Sequence, residues 1–155
     1  MHSQIQPAYI YFASEMQNGI RQETNKNLDF TKSSHIVASY ENNFSANFRL
    51  KTEIYYQYIY NAPVKNYPNT FSALNLGADF FSPNISNLVS KGNGYNYGIE
   101  ITLEKFYNKG YYFLFTTSLF ESKYKASDNI TRNTAFNGNY VFNLLGGKEI
   151  KIKDR

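Results

Sequence analysis

From Tyr95 to Glu104 every second residue is apolar: Tyr95, Tyr97, Ile99, Ile101 and Leu103 alternate with Asn96, Gly98, Glu100, Thr102 and Glu104. That period of two places the two sets on opposite faces of an extended strand. The next arm, Tyr111 to Phe120, is dense in aromatic residues that favour a pleated surface, and Asn108-Lys-Gly110 between the arms tolerates positive φ. The pattern predicts a β-hairpin. In the second arm Tyr111, Phe113, Phe115 and Leu119 are assigned to the face of Ile99, against Tyr112, Leu114 and Phe120.

The same reading runs along the whole chain. His2 to Phe12 is predicted as a strand with Ile5, Pro7, Tyr9 and Tyr11 on one face, and Pro7 marks an end or an edge. Ser14 to Ser33 is a polar loop, Ser34 to Asn42 a second strand, and Asn43 to Asn47 a quick turn. In the third strand, Phe48 to Tyr60, Phe48, Leu50, Thr52, Ile54, Tyr56, Tyr58 and Tyr60 oppose Arg49, Lys51, Glu53, Tyr55, Gln57 and Ile59. Asn61 to Asn93, with three prolines, is the longest connection, with a helical turn around Phe71 to Leu76. After a loop from Ser122 to Arg132, a sixth strand sets Phe136, Gly138, Tyr140, Phe142 and Leu144 against Asn137, Asn139, Val141 and Asn143. Gly146-Gly147 is expected to turn the chain into a seventh strand from Glu149 to Lys153. Connections thus alternate long and short, which predicts an all-β antiparallel up-and-down meander of six to seven strands, with long loops on one side and short turns on the other. Outer-membrane barrels segregate their loops in this way.

Composition sharpens that expectation. The 155 residues include 15 Tyr and 13 Phe but no Trp and no Cys. The tyrosines suit a surface that is apolar in its body and wet at its ends. The longest apolar run, Ala8 to Ala13, is far below the roughly 20 residues of a membrane helix, whereas a barrel strand needs about 9 to 11 with every second one apolar. Disulfides and thiolate metal sites are excluded. The net charge of +4 is spread thinly, apart from Lys148, Lys151, Lys153 and Arg155, so basic residues are not gathered beside aromatics as nucleic-acid binding requires. Met1 to Pro7 lacks the features of a signal peptide, and the expectation is one barrel segment whose signal and plug lie outside the sequence.

No enzymatic constellation emerges. His2 and His35 are the only histidines and have no metal-ligand spacing; Glu100 and Glu104 are too far apart along a strand for a close carboxylate pair. No nucleophile elbow or phosphate-cradling glycine loop is present. The expectation is a protein that is not an enzyme and carries no cofactor. Arg49, Lys51, Glu53, Glu100 and Glu104 are read as lumen-facing charges that neutralise one another. Within the longest connection Tyr67, Phe71, Phe80 and Phe81 offer stacking surfaces and Lys65, Asp79 and Lys91 offer charge, so these seven are the candidate ligand-binding residues.

Three stretches, Gly94-Tyr-Asn-Tyr-Gly-Ile-Glu-Ile-Thr-Leu-Glu-Lys-Phe106, Lys109-Gly-Tyr-Tyr-Phe113 and Asn133 to Lys148, resemble the C-terminal part of the β-barrel of Bacteroidetes-type TonB-dependent outer-membrane receptors. The resemblance implies active uptake of a scarce nutrient, such as an iron chelate, a cobalamin-like compound or a glycan. It also implies outer-membrane lipid, the remaining barrel and plug, and a TonB-type energising complex as partners. Two alternatives stand beside it: a soluble β-protein binding a small apolar or sugar ligand, and a passive pore.

Overall fold

The computed structural model describes residues 1–77 and 85–150. In chain order the elements are β1 (His2–Gln4), a one-turn helix α1 (Ala8–Tyr11), β2 (Ser14–Gln17), β3 (Ile20–Glu23), β4 (Thr31–Ser45), β5 (Phe48–Lys65), a 3-10 turn (Ala73–Asn75), β6 (Leu88–Asn108), β7 (Tyr111–Lys125), β8 (Thr131–Asn133) and β9 (Tyr140–Lys148). The fold is an antiparallel all-β meander, as the alternation predicts. Its main sheet has the order β1-β4-β5-β6-β7-β8, with β9 also on β7, and β2-β3 forms a separate hairpin. Among the described residues β1 and β8 do not meet, so the sheet stays open.

Two-residue turns join β4 to β5 and β6 to β7. Lys109 and Gly110 both take positive φ, 55° and 81°, the conformation that matches the twist of the flanking strands. Four strands are unusually long: 15, 18, 21 and 15 residues for β4 to β7. Globular strands usually run to no more than about 10.

Several boundaries differ from the sequence expectation. Pro7 opens a helical turn instead of edging a strand: its carbonyl accepts from Ile10 and Tyr11 N–H at 3.0 and 3.1 Å, which buries Ile10. A short apolar run fits strand or helix equally well, and proline is pre-organised for a helix start. The loop expected from Ser14 to Ser33 contains the β2–β3 hairpin, turned by Asn18 and Gly19 at φ 51° and 77°. Pro63 does not end β5, which continues to Lys65, so the longest connection shortens to residues 66–87 and keeps its helical turn as the 3-10 segment. The loop after β7 shrinks to five residues, 126–130, because β7 runs on and β8 pairs Lys123↔Asn133 through Lys125↔Thr131. Gly146 and Gly147 lie inside β9 and not in a turn, opposite Phe113 and Tyr112. A Cβ on Gly147 would meet the Tyr112 ring at 2.7 to 2.9 Å, so the ring takes the space that the missing side chain leaves. The expected seventh strand falls on Glu149 and Ile150, which are not in a strand, and on residues 151–153, outside the described residues.

The chain divides into two compact units. The first comprises Met1–Ile36, Tyr56–Asn96 and Glu121–Asn137. It holds a small core of Val64, Tyr124 and Ala126, with Leu74 and Val89 against it. Gly94 lets the 3-10 turn approach β6, for a Cβ there would lie 2.7 Å from Leu74 Cδ1 and 2.9 Å from the Lys123 carbonyl oxygen. Asn25, 1% exposed, is a hub: its amide donates to the Ile10 and Ile85 carbonyls at 2.7 Å each, and its oxygen accepts from Leu88 N–H at 2.9 Å.

The second unit comprises Val37–Tyr55, Tyr97–Phe120 and the chain from Gly138 on. None of its described residues is buried. Large apolar side chains stand in the open instead, with Ile54 57% and Leu144 76% exposed. Phe48 and Phe113 meet edge to face at 6.1 Å, which puts the odd-numbered aromatics of β7 on the Phe48 face, as assigned from sequence. The register Phe115↔Leu144 and Leu119↔Tyr140 extends this face across β9, and on the reverse Asn143 donates to Thr116 at 3.3 Å.

Candidate functional site

The strand alternation decides where the charges go. On β5 Arg49, Lys51 and Glu53 project opposite Ile54, and each has an ion-pair partner. Arg49 binds Glu104 of β6 at 2.6 Å and Glu41 of β4 at 3.6 Å, and Lys51 binds Glu53 at 2.8 Å. These side chains are only about one-fifth to two-fifths exposed, whereas Phe44 on β4 and Ile54 on β5 are more than half exposed. Glu100 is exposed. Such pairs stabilise little in water but hold a polar face in register and close to neutral. This second unit therefore offers an ion-paired surface with few uncompensated charges for a ligand.

The first unit gathers the loop residues. Lys65, Tyr67 and Lys91 line one cleft of about 180 Å³ together with Asn66, Pro68, Val89, Ala126, Ser127 and Asn129. The end of β5, the start of β6 and the β7–β8 turn supply these residues. Local hydrogen bonds fix the wall: Ser127 Oγ donates to the Tyr67 carbonyl at 2.6 Å and accepts from Asn69 N–H at 3.1 Å. The turn itself is clasped by Asp128 and Arg132, paired at 2.5 Å, and the Arg132 hydrogen bond holds the Asp128 carboxyl below its ordinary value of 3.8.

Lys65 is 5% exposed, and burial depresses its pKa while Glu15 opposes the shift. Its ammonium donates to the Ser86 carbonyl at 2.8 Å and lies 5.8 Å from the centre of the Phe71 ring, a cation–π contact. Ser86 in turn donates through its hydroxyl to Glu15. Phe71 therefore sits against Lys65 and not on the cleft wall. Of the seven ligand-binding candidates, the structure brings Lys65, Tyr67 and Lys91 to one cleft and Phe71 behind it; Asp79, Phe80 and Phe81 lie outside the described residues.

A second cleft of about 340 Å³ shares Asn66, Val89 and Lys91 with the first and adds Thr24, Asn27, Asp29, Asn87, Leu88 and Ser90. Its Asp29 N–H donates to Ser90 Oγ at 2.9 Å. Sequence reasoning missed this wall, although Asn25-Lys-Asn27 and Asn87 are the amide-rich turn signals that could have pointed to it. Among the described residues no three His, Asp or Glu side chains come together as metal ligands, and no helix is long and apolar enough to cross a membrane. No known protein family, curated protein or solved structure matches this chain.

Proposed function

We propose that the chain is a section of a TonB-dependent outer-membrane transporter, which takes up a scarce nutrient through a plugged barrel. One observation carries the reading: in the second unit one face exposes large apolar side chains such as Ile54, Phe142 and Leu144, the opposite face holds ion pairs, and no described residue is buried. A sheet that is apolar outside and ionic inside is the inverse of a soluble barrel and suits a lipid exterior around a wet lumen. Strands of 15 to 21 residues exceed the 9 to 11 that cross a bilayer, leaving length for extramembrane walls. In this role the long connections capture ligand, and lipid, the remaining strands, the plug and the energising complex complete the machine. The soluble ligand-binding alternative draws on the small core and clefts of the first unit.

The sequence contains no Trp, so an introduced one is a unique reporter. Ile54→Trp and Glu53→Trp place it on adjacent residues of opposite faces. After refolding into vesicles of brominated phosphatidylcholine, Ile54→Trp fluorescence is expected to be quenched and that of Glu53→Trp spared. Equal quenching, or none with a monodisperse monomer in plain buffer, refutes the membrane reading in favour of the soluble one.

A further inference from the structure

β1 covers only the first residues of β4. His2 lies opposite Ser33 and Met1 therefore opposite Ser34, so among the described residues the edge of β4 is open from His35 to Ser45. Open edges are ordinarily blunted by lysine, by proline or by a very short strand. Residues 35–45 hold no Lys, Arg or Pro, and their one carboxylate, Glu41, turns inward to Arg49 at 3.6 Å. They carry Ile36, Val37, Tyr40 and Phe44 instead, residues that favour a strand. The edge that β9 leaves open is shorter, is weakened by Gly146 and Gly147, and ends on Lys148. Of the two edges, β4 is the one suited to take another strand.

That edge is complementary to itself. A second copy related by a two-fold axis at Tyr40 lays its own residues 35–45 antiparallel along the whole open length. Ile36 then faces Phe44 of the second copy and Tyr40 faces Tyr40, while on the reverse side Ser39 faces Glu41, so no like charges meet. Ile36, Tyr40 and Phe44 are 71%, 61% and 60% exposed, and the Phe44 ring meets Phe48 at 6.0 Å, which puts them on the apolar face. Neighbouring registers fail. An axis at Glu41 sets two carboxylates against each other, and one at Ser39 drives Phe44 and Ser45 of the second copy into Met1 and His2. Strand direction points the same way: β4, β5, β6, β7 and β9 follow one another antiparallel, so β4 and β9 run parallel and one copy cannot join them as antiparallel neighbours. We propose that β4 is a homodimerisation strand, along which two copies of this chain form one continuous antiparallel sheet about a two-fold axis at Tyr40. This goes beyond the receptor reading and does not rest on it; in a receptor a neighbouring barrel strand takes the same place.

The sequence has no cysteine, so introduced thiols report the register. Opposed Cα atoms of an antiparallel pair lie about 4.5 to 5.5 Å apart, within the span of a disulfide. In the untagged chain refolded with micelles in excess, Tyr40→Cys is expected to cross-link to a dimer on mild oxidation. Ile36→Cys and Phe44→Cys are each expected to stay single alone and to cross-link when mixed. Sedimentation equilibrium of the native chain is expected to give two copies per micelle. Tyr40→Phe should retain the pair, whereas Tyr40→Lys, which opposes two ammonium groups, should weaken it at least about tenfold. A monomeric native chain, equal cross-linking at all three positions, or cross-linking confined to Leu144→Cys on β9 overturns the proposal. So does a Tyr40→Lys chain of native dichroism that pairs unchanged; where that variant does not fold, the thiol register decides. The lipid-quenching result is separate: quenching at Ile54 in a monomeric chain removes the dimer alone, and a dimer without quenching removes the receptor role alone.

Discussion

Gly94→Ala tests whether the 3-10 turn is packed onto β6 as described. The added methyl would sit 2.7 Å from Leu74 Cδ1 and 2.9 Å from the Lys123 carbonyl oxygen, against an ordinary contact of 3.4 Å. Leu74 is a flexible side chain and can retreat by pulling away from Val64, Tyr124 and Ala126; the Lys123 carbonyl belongs to β7 and cannot move without disturbing its ladder. Overpacking of this kind costs about 2 kcal/mol, or about 30-fold in the folding equilibrium. Gly94 does not have positive φ, so backbone strain contributes nothing to the effect. Leu74→Ala removes one of the two clashes and by itself costs about 1.5 kcal/mol for the half-buried side chain. The double variant is therefore expected to be about 1 kcal/mol more stable than the sum of the single costs allows. Urea titration of the micelle-refolded chain, followed by tyrosine near-ultraviolet dichroism with slopes compared across the four proteins, measures the cycle. Additivity to within about 0.4 kcal/mol would show that residue 94 does not feel Leu74, and the packing of the 3-10 turn on β6 would have to be abandoned.

Asn25→Ala should cost at least about 3 kcal/mol in the same titration, because it strands the Ile10 and Ile85 carbonyls and the Leu88 N–H; a loss under 1 kcal/mol would mean that the hub is dispensable. Asp128 has its folded pKa held below 3.8, so its pairing with Arg132 is fully present above that ordinary value and is lost as pH falls through the depressed one. Exchange of the Ile130 amide, which donates to Asp128 at 3.1 Å, should accelerate on acidification in the native chain, beyond its intrinsic pH dependence, and lose that dependence in Asp128→Asn; identical profiles would disprove the clasp.

The parts of the fold legible in the sequence were those where one strand's own alternation carries the information. On β5 the two sets separate cleanly because Ile54, Tyr56 and Tyr58 stay exposed while Arg49 and Glu53 find partners on the less exposed side. Lys109-Gly110 was legible because positive φ restricts residue choice. What escaped depends on partners distant in sequence. Asn25 reads as one more loop asparagine until Ile85 and Leu88, about 60 residues on, arrive at its amide. Gly146-Gly147 reads as a turn until Tyr112 covers it. Ile10 shares a run with exposed Tyr9 and Phe12, and only the unit's packing chooses which is covered. Within the clefts, Lys65, Tyr67 and Lys91 were named for their chemistry, but the wall supplied by Asn129 and Asp29 comes from other loops and no local pattern announces it.

The register of β1 on β4 has a practical consequence for handling the protein. His2 stands opposite Ser33, so Met1 falls opposite Ser34, and β4 continues from there to Ser45 with no strand beside that edge among the described residues. Any peptide fused ahead of Met1 is thus delivered antiparallel to a vacant row of amides and carbonyls, and about eleven residues would reach Ser45 if they zipped along it. An affinity tag placed there would be a strand in waiting and not an inert handle. A proline at every second position would keep it off the edge, and an alternating Thr-Val tag, added deliberately, would seal it.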